Sequence, residues 1–309
     1  MSRIHEALQR AEQERKLRDI SSVEPSSHDT ASTLSTLTGT SIDNSGTVLP
    51  DPPPFVPPLL SGNIAPLAID TLTTHCRSVA WAPQPRSALF SREKNRPYKA
   101  EVFRTLRSRL YRLRDHIRLR SLLVTSTLPC EGKSFIAANL SQAIAQQHGS
   151  RAILIDADLR MPSQHIQLGA PRSPGLSEYL QGDTDELSIV QRGQGHDLYF
   201  ISCGAAATNP VELIGNGRMK TLLDCLHNAF DWIIVDSPPM AAVSDAGLLA
   251  DMCDGALLVV RADVTPYDLA QKACADFKNA SLVGIVLNGI NGTSHYGSYY
   301  YNYYSGAKA

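Results

Sequence analysis

The 309-residue sequence predicts an α/β fold, in which helices flank a parallel sheet that follows a disordered N-terminal linker. Three observations predict it. Strand-length runs such as SLLVTS and WIIVD are almost wholly apolar, which is typical of strands buried on both faces of a sheet. Segments with helical periodicity separate these runs, as in parallel βαβ units. Ten of the 19 prolines lie between Pro25 and Pro85, in a Ser- and Thr-rich stretch that cannot bury much surface.

The overall composition is that of a globular chain with one or two domains. Hydrophobic residues make up 43% and charged residues 19%, which excludes a wholly disordered chain, a collagen-like chain and a small disulfide scaffold. No apolar run reaches the roughly 18 residues that span a bilayer. The N-terminal MSRIHEALQRAEQERK has no apolar core, so it is not expected to be a secretory signal. The six cysteines form no C-x-x-C pair, and we expect reduced thiols in a cytoplasmic protein.

The chain divides into four predicted segments. In order, they are an amphipathic helix, a Pro/Ser/Thr-rich linker that we expect to be disordered, a folded domain and a Tyr-rich tail, over residues 1–20, 21–92, 93–290 and 291–309. The first segment carries Ile4, Leu8 and Ala11 on one helical stripe. We interpret it as a docking helix, and a solvated, frayed terminus is the alternative.

Helices and strands alternate within the folded domain. The first helix covers residues 98–116, and Pro97 suits its first turn. Its predicted buried stripe consists of Val102, Leu106, Leu110 and Leu113. The predicted strands cover 121–126, 152–156, 198–202, 232–236, 255–260 and 283–288. The other predicted helices cover 134–147, 210–228, 244–251 and 266–278.

A phosphate-binding motif follows the first predicted strand. TSTLPCEGKSFIAANLS (125–141) places a loop and then Gly132-Lys133-Ser134 between a buried strand and a helix, as in a P-loop. In such a loop the glycine lets backbone N–H groups approach phosphate oxygens, the lysine bridges the β- and γ-phosphates, and the serine hydroxyl faces Mg²⁺. The general GxxxxGK[ST] pattern would have glycine where this chain has Thr127. The predicted nucleotide-binding residues here are Pro129, Cys130, Glu131, Gly132, Lys133, Ser134 and Phe135. The predicted fold is therefore a P-loop NTPase-type sheet.

Aspartates end two further apolar strands. ILIDADLRMP (153–162) contains Asp156, Asp158 and Arg160, and FDWIIVDSPP (230–239) contains Asp236. Because ligands bind at the carboxyl ends of strands in open parallel sheets, all three strand ends can meet at one nucleotide. A single strand-end aspartate is more often a helix N-cap. Together they predict a metal site of Ser134, Asp156, Asp158 and Asp236. Arg160 is predicted to contact phosphate, and a structural ion pair is an equal alternative.

These motifs together resemble the Walker A, A′ and B motifs of the bacterial tyrosine kinases (BY-kinases), which serve capsule and exopolysaccharide synthesis. The resemblance covers about residues 96–304. Glu101-x-x-Arg104-x-x-Arg107 matches the ring-forming motif of the family, and NPVELIGNGRMKTLL (209–223) resembles its NPxELL helix. The N-terminal segment resembles the subgroup encoded as separate cytoplasmic kinases. The tail resembles the autophosphorylation site of the family and holds Tyr296, Tyr299, Tyr300, Tyr301, Tyr303 and Tyr304.

The resemblance implies an ATP- and Mg²⁺-dependent tyrosine autokinase that regulates polymerisation, chain length or export of a polysaccharide. It implies Lys133, Asp156 and Asp158 as catalytic residues and leaves open which aspartate accepts the tyrosine proton. It implies a homo-oligomeric ring built through Glu101, Arg104 and Arg107, with the tail phosphorylated in trans. It also implies a membrane chain-length determinant protein as activator and a cognate tyrosine phosphatase. We expect a cytoplasmic protein that its partner recruits to the inner face of the plasma membrane.

Two other functions stay open from the sequence. A MinD/ParA-type positioning ATPase has a related P-loop, but it usually carries an early lysine where this chain has TLPC, and it gives no reason for the terminal tyrosines. A non-catalytic scaffold is the second alternative, because Cys130 replaces the first glycine of the usual P-G-E-G-K-[ST] loop and tolerates positive φ poorly. Cys130 is either a passive substitution or a redox-sensitive thiol.

A strongly basic segment has its own alternative reading. Residues 86–120 hold twelve Lys or Arg against three acids, a net charge of +9 in a chain whose total is −1. Such a segment is compatible with a nucleic-acid or anionic-lipid surface. Its arginines are spread round the predicted helix, and two of them match the ring motif. We therefore expect no nucleic-acid partner.

Overall fold

The computed structural model describes residues 69–84, 97–193, 197–277 and 282–290. All of them belong to the second of two units of the chain, Pro57–Ala309. The predicted docking helix (1–20) and the Tyr-rich tail (291–309) lie outside the described residues.

The described residues form an eight-stranded sheet with helices on both faces. The strands are β1 (Arg77–Val79), β2 (Ser121–Ser126), β3 (Ala152–Asp156), β4 (Val190–Gly193), β5 (Leu198–Ile201), β6 (Trp232–Asp236), β7 (Gly255–Arg261) and β8 (Leu282–Asn288). Their order across the sheet is β1-β4-β5-β3-β6-β2-β7-β8. All neighbouring pairs are parallel except β4 and β5.

The helices are named in chain order. They are α1 (Ile69–His75), α2 (Pro97–Arg114), α3 (Lys133–Ala145), α4 (Gln164–Leu168), α5 (Leu176–Gln181), α6 (Glu186–Ile189), α7 (Pro210–Gly215), α8 (Arg218–Leu226), α9 (Asp245–Met252) and α10 (Tyr267–Ala275).

The central strands are buried on both faces, as their apolar runs predict. Along β3, Ile153 and Ile155 pack into one core with side chains of α5 and α8, whereas Leu154 packs on the opposite face with side chains of α2 and α3. The strand β6 alternates in the same way. Because β2, β3 and β6 pair in parallel, their carboxyl ends lie at the same edge of the sheet.

The six strands predicted from the apolar runs are present, with ends that agree to within one residue. The first, second, fourth and fifth predicted helices correspond to α2, α3, α9 and α10. The predicted α/β fold, with a mostly parallel sheet between helices, is confirmed. All six cysteines are unpaired in the structure.

The prediction of a disordered linker over residues 21–92 is wrong for residues 69–84, which form ordered structure. Leu72 on α1 is fully buried in the core, and β1 pairs with β4 at the sheet edge. Trp81 then packs edge-on against Phe200 of β5, with ring centroids 6.2 Å apart. A seven-residue helix and a three-residue strand are too short for periodicity to reveal them among prolines and serines.

Three smaller predictions also need correction. The predicted helix 210–228 is two helices, because Gly217 takes a left-handed φ of 88° between α7 and α8. On α2, Val102 is 51% exposed and Phe103 is buried in its place, with its ring against that of Phe135. The strand β4, which runs antiparallel to β5, was not predicted, because VQRG is too short and too polar to stand out.

Candidate active site

The phosphate-binding loop joins β2 to α3 through a left-handed backbone. Gly132 has φ 97°, and a Cβ at this position would collide with the side-chain amide of Asn288. Cys130 has φ 64°, so the cysteine occupies the left-handed region that favours glycine. The sequence predicts that a cysteine tolerates positive φ poorly at this position. In the structure the loop nevertheless keeps its left-handed turn with Cys130 in place.

Three side chains hold this loop, and we call them the loop clamp: Arg261 at the end of β7, Thr265 between β7 and α10, and Asn288 at the end of β8. Arg261 Nη1 donates to the Cys130 carbonyl oxygen at 3.0 Å, and Asn288 Nδ2 donates to the Glu131 carbonyl oxygen at 2.8 Å. The Thr265 hydroxyl bonds to the Glu131 carboxylate. The other Glu131 carboxylate oxygen accepts from the N–H of Leu128, which closes the loop on itself.

Lys133 reaches the ends of two other strands. Its Nζ donates to Asp158 Oδ2 at 2.8 Å, contacts Ser134 Oγ at 3.2 Å and lies 4.0 Å from Asp236 Oδ1. Burial works against the lysine charge, but the carboxylates of Asp236 and Asp158 outweigh burial and raise the pKa of Lys133. The lysine is therefore a firmly held cation at the meeting point of three strands.

Behind Lys133, two aspartates are buried side by side. Asp156 and Asp236 are paired in the register of β3 and β6, and both are fully buried. Burial, reinforced by the neighbouring Asp236, raises the pKa of Asp156 well above its usual range. Burial also raises the pKa of Asp236, although the Lys133 charge offsets part of that rise. Two carboxylates this close favour a shared proton or a bound cation.

Gln164 at the start of α4 links these groups, and the sequence analysis did not identify it. Its backbone N–H donates to Asp156 Oδ2 at 3.0 Å, and its Nε2 donates to Asp236 Oδ2 at 2.8 Å and to the Ser134 carbonyl at 2.9 Å. No spacing rule marks a glutamine eight residues after the strand end. Its role emerges only because the fold returns α4 to the phosphate-binding loop.

Arg160 takes the structural alternative that the sequence left open. It forms a two-bond ion pair with Asp245, the first residue of α9, at 2.8 and 3.1 Å. Asp245 is fully buried, so this pair anchors the loop after β3 to α9. The arginine also lines the cleft, and a phosphate contact stays a prediction.

A cleft of about 380 Å³ opens over these groups. Of the predicted nucleotide-binding residues, its walls include Pro129, Cys130, Gly132, Lys133, Ser134, Phe135 and Arg160. Asp158 also lines it, whereas Asp156 and Asp236 lie beneath its floor. Glu131 turns its side chain away to Leu128 and Thr265. The cleft is thus lined by the phosphate-binding loop with its Lys133 and by Asp158, and the buried carboxylates of Asp156 and Asp236 lie beneath it.

The oxygen donors in and beneath the cleft fit a magnesium ion. The hydroxyl of Ser134 and the carboxylates of Asp156, Asp158 and Asp236 are the hard oxygen ligands that Mg²⁺ takes. Asp236 Oδ1 is buried and has no hydrogen-bond partner, so it is a donor atom that a cation would satisfy.

The predicted ring-forming residues lie on α2, away from the cleft. Arg104 pairs with Glu101 across one helical turn at 3.0 Å, and both side chains are exposed. Arg107 donates instead to the Ala143 carbonyl near the end of α3. The structure therefore leaves Glu101 and Arg104 accessible and ties Arg107 to its own chain.

Comparison with known proteins places the chain. No family model matches it. The tyrosine-protein kinase YwqD of Bacillus subtilis (strain 168) is 34% identical over 204 residues, which are 65% of this chain and 86% of that protein. The putative tyrosine-protein kinase CapB of Staphylococcus aureus is 31% identical over 219 residues, 70% of this chain and 95% of that protein. The chain belongs to the bacterial tyrosine kinases.

Solved structures agree with this membership. The kinase domain of the Escherichia coli tyrosine kinase ETK superposes on this BY-kinase with a TM-score of 0.62 at 29% identity, over 67% of this chain and 81% of that chain. The Pyrococcus furiosus cell division ATPase MinD has a TM-score of 0.50 at 23% identity, over 57% of this chain and 74% of that chain, and shares the fold. The similarity of the chain to the tyrosine kinases, in sequence and in structure, favours a kinase over a positioning ATPase.

Among the residues that the structure describes, no helix is both long and apolar enough to cross a bilayer.

Proposed function

We propose that this BY-kinase is an ATP-dependent tyrosine autokinase that phosphorylates the tail tyrosines of a neighbouring copy. Through that reaction it regulates the polymerisation, chain length or export of a capsular or exopolysaccharide. The observation that carries the proposal is the meeting of Lys133 with Asp158 and Asp236 at one cleft, from the ends of three strands. Phosphoryl transfer needs mainly positioning and charge neutralisation, and this constellation supplies both.

The phosphate-binding loop and Lys133 hold the nucleotide. The left-handed turns at Cys130 and Gly132 suit a loop whose N–H groups cradle phosphate oxygens at the start of α3. Lys133 already lies 2.8 Å from Asp158, so the lysine charge can be shared between that carboxylate and the β- and γ-phosphates. Removing the lysine takes away this shared charge and leaves three carboxylates close together.

Ser134, Asp236 and Asp156 would hold Mg²⁺, directly or through water. When bound, Mg²⁺ would neutralise negative charge on the β- and γ-phosphate oxygens. Gln164 fixes both buried carboxylates through its backbone and side-chain N–H groups. The orientation of these ligands is therefore set by α4 and does not depend on the nucleotide.

Asp158 is the better placed of the two Walker A′ aspartates to accept the tyrosine proton. It lines the cleft, whereas Asp156 lies beneath it with no exposed surface. A phenol with a pKa near 10 is protonated at neutral pH, so a carboxylate beside it assists its attack on the γ-phosphate. Lys133 holds the Asp158 carboxylate in place through a charged hydrogen bond.

The tail is the proposed acceptor, and it follows the loop clamp in the chain. Asn288 is the last residue of β8, and Tyr296 follows eight residues later, a reach of about 26 Å when extended. A ring through Glu101 and Arg104 would place a neighbouring cleft within reach. Each phosphate adds roughly −1.5 to −2 charge, so several phosphates would repel one another and dissolve the ring.

The proposed partners follow from family membership. They are a membrane chain-length determinant protein as activator, further copies of this chain and a cognate tyrosine phosphatase. The predicted docking helix (1–20) and linker would tether the kinase to the activator at the inner face of the plasma membrane.

A two-component mixing experiment tests the transfer in trans. The enzyme is the chain with its six tail tyrosines replaced by phenylalanine, and the acceptor is Lys133→Ala with an intact tail. With ATP and Mg²⁺, we expect phosphotyrosine only on the acceptor, and none when the enzyme also carries Lys133→Ala. If the wild-type chain is phosphorylated while this mixture is not, transfer runs within one chain.

A further inference from the structure

Beneath the active site, three different metal-ligating side chains converge. A carboxylate oxygen of Asp156, a ring nitrogen of His165 and the Sγ of Cys203 all lie within 4.8 Å of one another. Asp156 ends β3, Cys203 follows the neighbouring strand β5, and His165 is the second residue of α4. The packing of α4 on the strand ends therefore creates the cluster. The spacing of the three residues in the sequence does not predict it.

Two atoms of the cluster residues have unmet hydrogen-bonding capacity. Asp156 Oδ1 and His165 Nδ1 are both buried and have no hydrogen-bond partner. Asp156 is fully buried and Cys203 is 1% exposed. The Cys203 thiol donates a weak hydrogen bond to the adjacent Gly204 carbonyl at 3.2 Å. The Arg172 guanidinium donates to the same carbonyl at 2.8 Å and also hydrogen-bonds to Cys203. Buried polar atoms without partners are costly, and a shared ligand would satisfy them.

We propose that Asp156, His165 and Cys203 form a binding site for a transition-metal ion of the Zn²⁺ class, which shares Asp156 with the magnesium site. Thiolate, imidazole and carboxylate are a donor set typical of zinc, whereas Mg²⁺ takes oxygen ligands. Zn²⁺ bonds of about 2.0–2.3 Å put tetrahedral ligand atoms roughly 3.3–3.8 Å apart. The three ligand atoms lie within 4.8 Å of one another, so they would need to approach by up to about 1 Å to reach that spacing. Three protein ligands leave the fourth position for water.

The position of Asp156 gives this site a consequence for the kinase. Asp156 would be bound either by Mg²⁺ with nucleotide or by Zn²⁺ with His165 and Cys203. Zn²⁺ therefore inhibits, because it withdraws a magnesium ligand from the active site. This consequence rests on the proposed kinase function, whereas metal binding itself does not.

Cobalt titration of the full-length chain tests the site directly. Co²⁺ occupies zinc sites and gives a thiolate-to-metal charge-transfer absorption only when a cysteine is a ligand. We expect a saturable charge-transfer band in the wild type that Zn²⁺ abolishes by displacement. Cys203→Ser should remove that band, and His165→Gln should weaken Co²⁺ binding at least tenfold while the thiolate band persists at saturation.

Two matched cysteine variants serve as controls. Cys225→Ser changes another buried thiol outside the cluster and should keep the band. Cys130→Ser removes the exposed thiol of the phosphate-binding loop and should also keep it. Melting curves establish that each variant is folded, and His165→Gln carries the test if Cys203→Ser does not fold. The proposal is wrong if the wild type gives no thiolate band, or if the band survives in Cys203→Ser.

The inhibitory consequence has a separate readout. Zn²⁺ should lower autophosphorylation of the wild type, and Cys203→Ser should need at least tenfold more Zn²⁺ for the same inhibition. Equal inhibition of both proteins would place the inhibitory zinc elsewhere and overturn this consequence. If the wild type does not phosphorylate itself either with or without the cytoplasmic segment of the activator, the kinase proposal fails, while the cobalt titration still decides the metal site.

Discussion

Replacing Asn288 by alanine removes the amide that ties β8 to the phosphate-binding loop. Asn288 Nδ2 donates to the Glu131 carbonyl at 2.8 Å in a partly buried position, while its own Oδ1 accepts from the Gly289 N–H. The loop carries two consecutive constraints at this point, because Arg261 holds the preceding carbonyl of Cys130. Without Asn288, the nucleotide itself must order more of the loop. We therefore expect the loss to appear as weaker nucleotide binding.

The size of the effect follows from one net hydrogen bond. A neutral side-chain bond of this kind contributes about 1 kcal/mol, which corresponds to about fivefold weaker binding. Asn288→Asp should be worse, because a carboxylate oxygen would replace the amide and face the Glu131 carbonyl. Leaving that carbonyl opposite another acceptor costs about 2 kcal/mol, or about thirtyfold in affinity.

Asn216, between α7 and α8, provides a matched control. Its Nδ2 donates to the Leu180 carbonyl at 2.8 Å, and its Oδ1 accepts from the Arg218 N–H, so it makes the same two types of bond away from the loop. Isothermal titration with ADP and urea unfolding are measured for both alanine variants. Both should lower the free energy of unfolding by about 1 kcal/mol, and only Asn288→Ala should weaken ADP. The reasoning is refuted if ADP affinity is unchanged in Asn288→Ala or falls equally in Asn216→Ala.

Three further predictions follow from burial and backbone geometry. Cys130→Gly should raise the melting temperature slightly. Relief of the left-handed strain contributes about 1–2 kcal/mol, which exceeds the cost of about 0.5–1 kcal/mol from the greater chain entropy of glycine in the unfolded state. A lower melting temperature would contradict this prediction. Leu72→Ala should cost about 2–5 kcal/mol in urea unfolding, and a cost near zero would mean that α1 is not part of the core. The raised pKa of Asp156 means that this side chain holds a proton in the folded chain that it releases in the unfolded chain, so the contribution of Asp156 to wild-type stability falls as pH rises above about 4. The stability advantage of Asp156→Asn over the wild type should therefore grow from pH 4 to pH 8 in urea unfolding, and a constant difference would argue against the raised pKa.

The parts of the fold that depend on short local sequence patterns could be predicted from the sequence. Each buried strand is a short continuous run of apolar residues, and Gly132-Lys133-Ser134 follows one of them directly. The strand ends at Asp156 and Asp236 converge because parallel strands share one polarity. The local sequence pattern and this rule together predict where the cleft lies.

What could not be predicted depends on contacts between distant residues. Asn288 and Glu131 are 157 positions apart, and only the pairing of β7 with β8 brings the loop clamp over the phosphate-binding loop. The burial of Phe103 in place of Val102 depends on where Phe135 of α3 lies, which periodicity on α2 alone does not reveal. The segment at Leu72 gains its order from the core that it covers and has little pattern of its own.

Intact-mass spectrometry of the full-length chain tests the autokinase proposal most directly. The wild type and Lys133→Ala are incubated with ATP and Mg²⁺, with and without the cytoplasmic segment of the activator, and phosphates are mapped by peptide digestion. We predict a ladder of added phosphates within residues 296–304 of the wild type and none in Lys133→Ala. A wild-type chain that hydrolyses ATP but keeps one unphosphorylated mass under every condition would contradict the proposal.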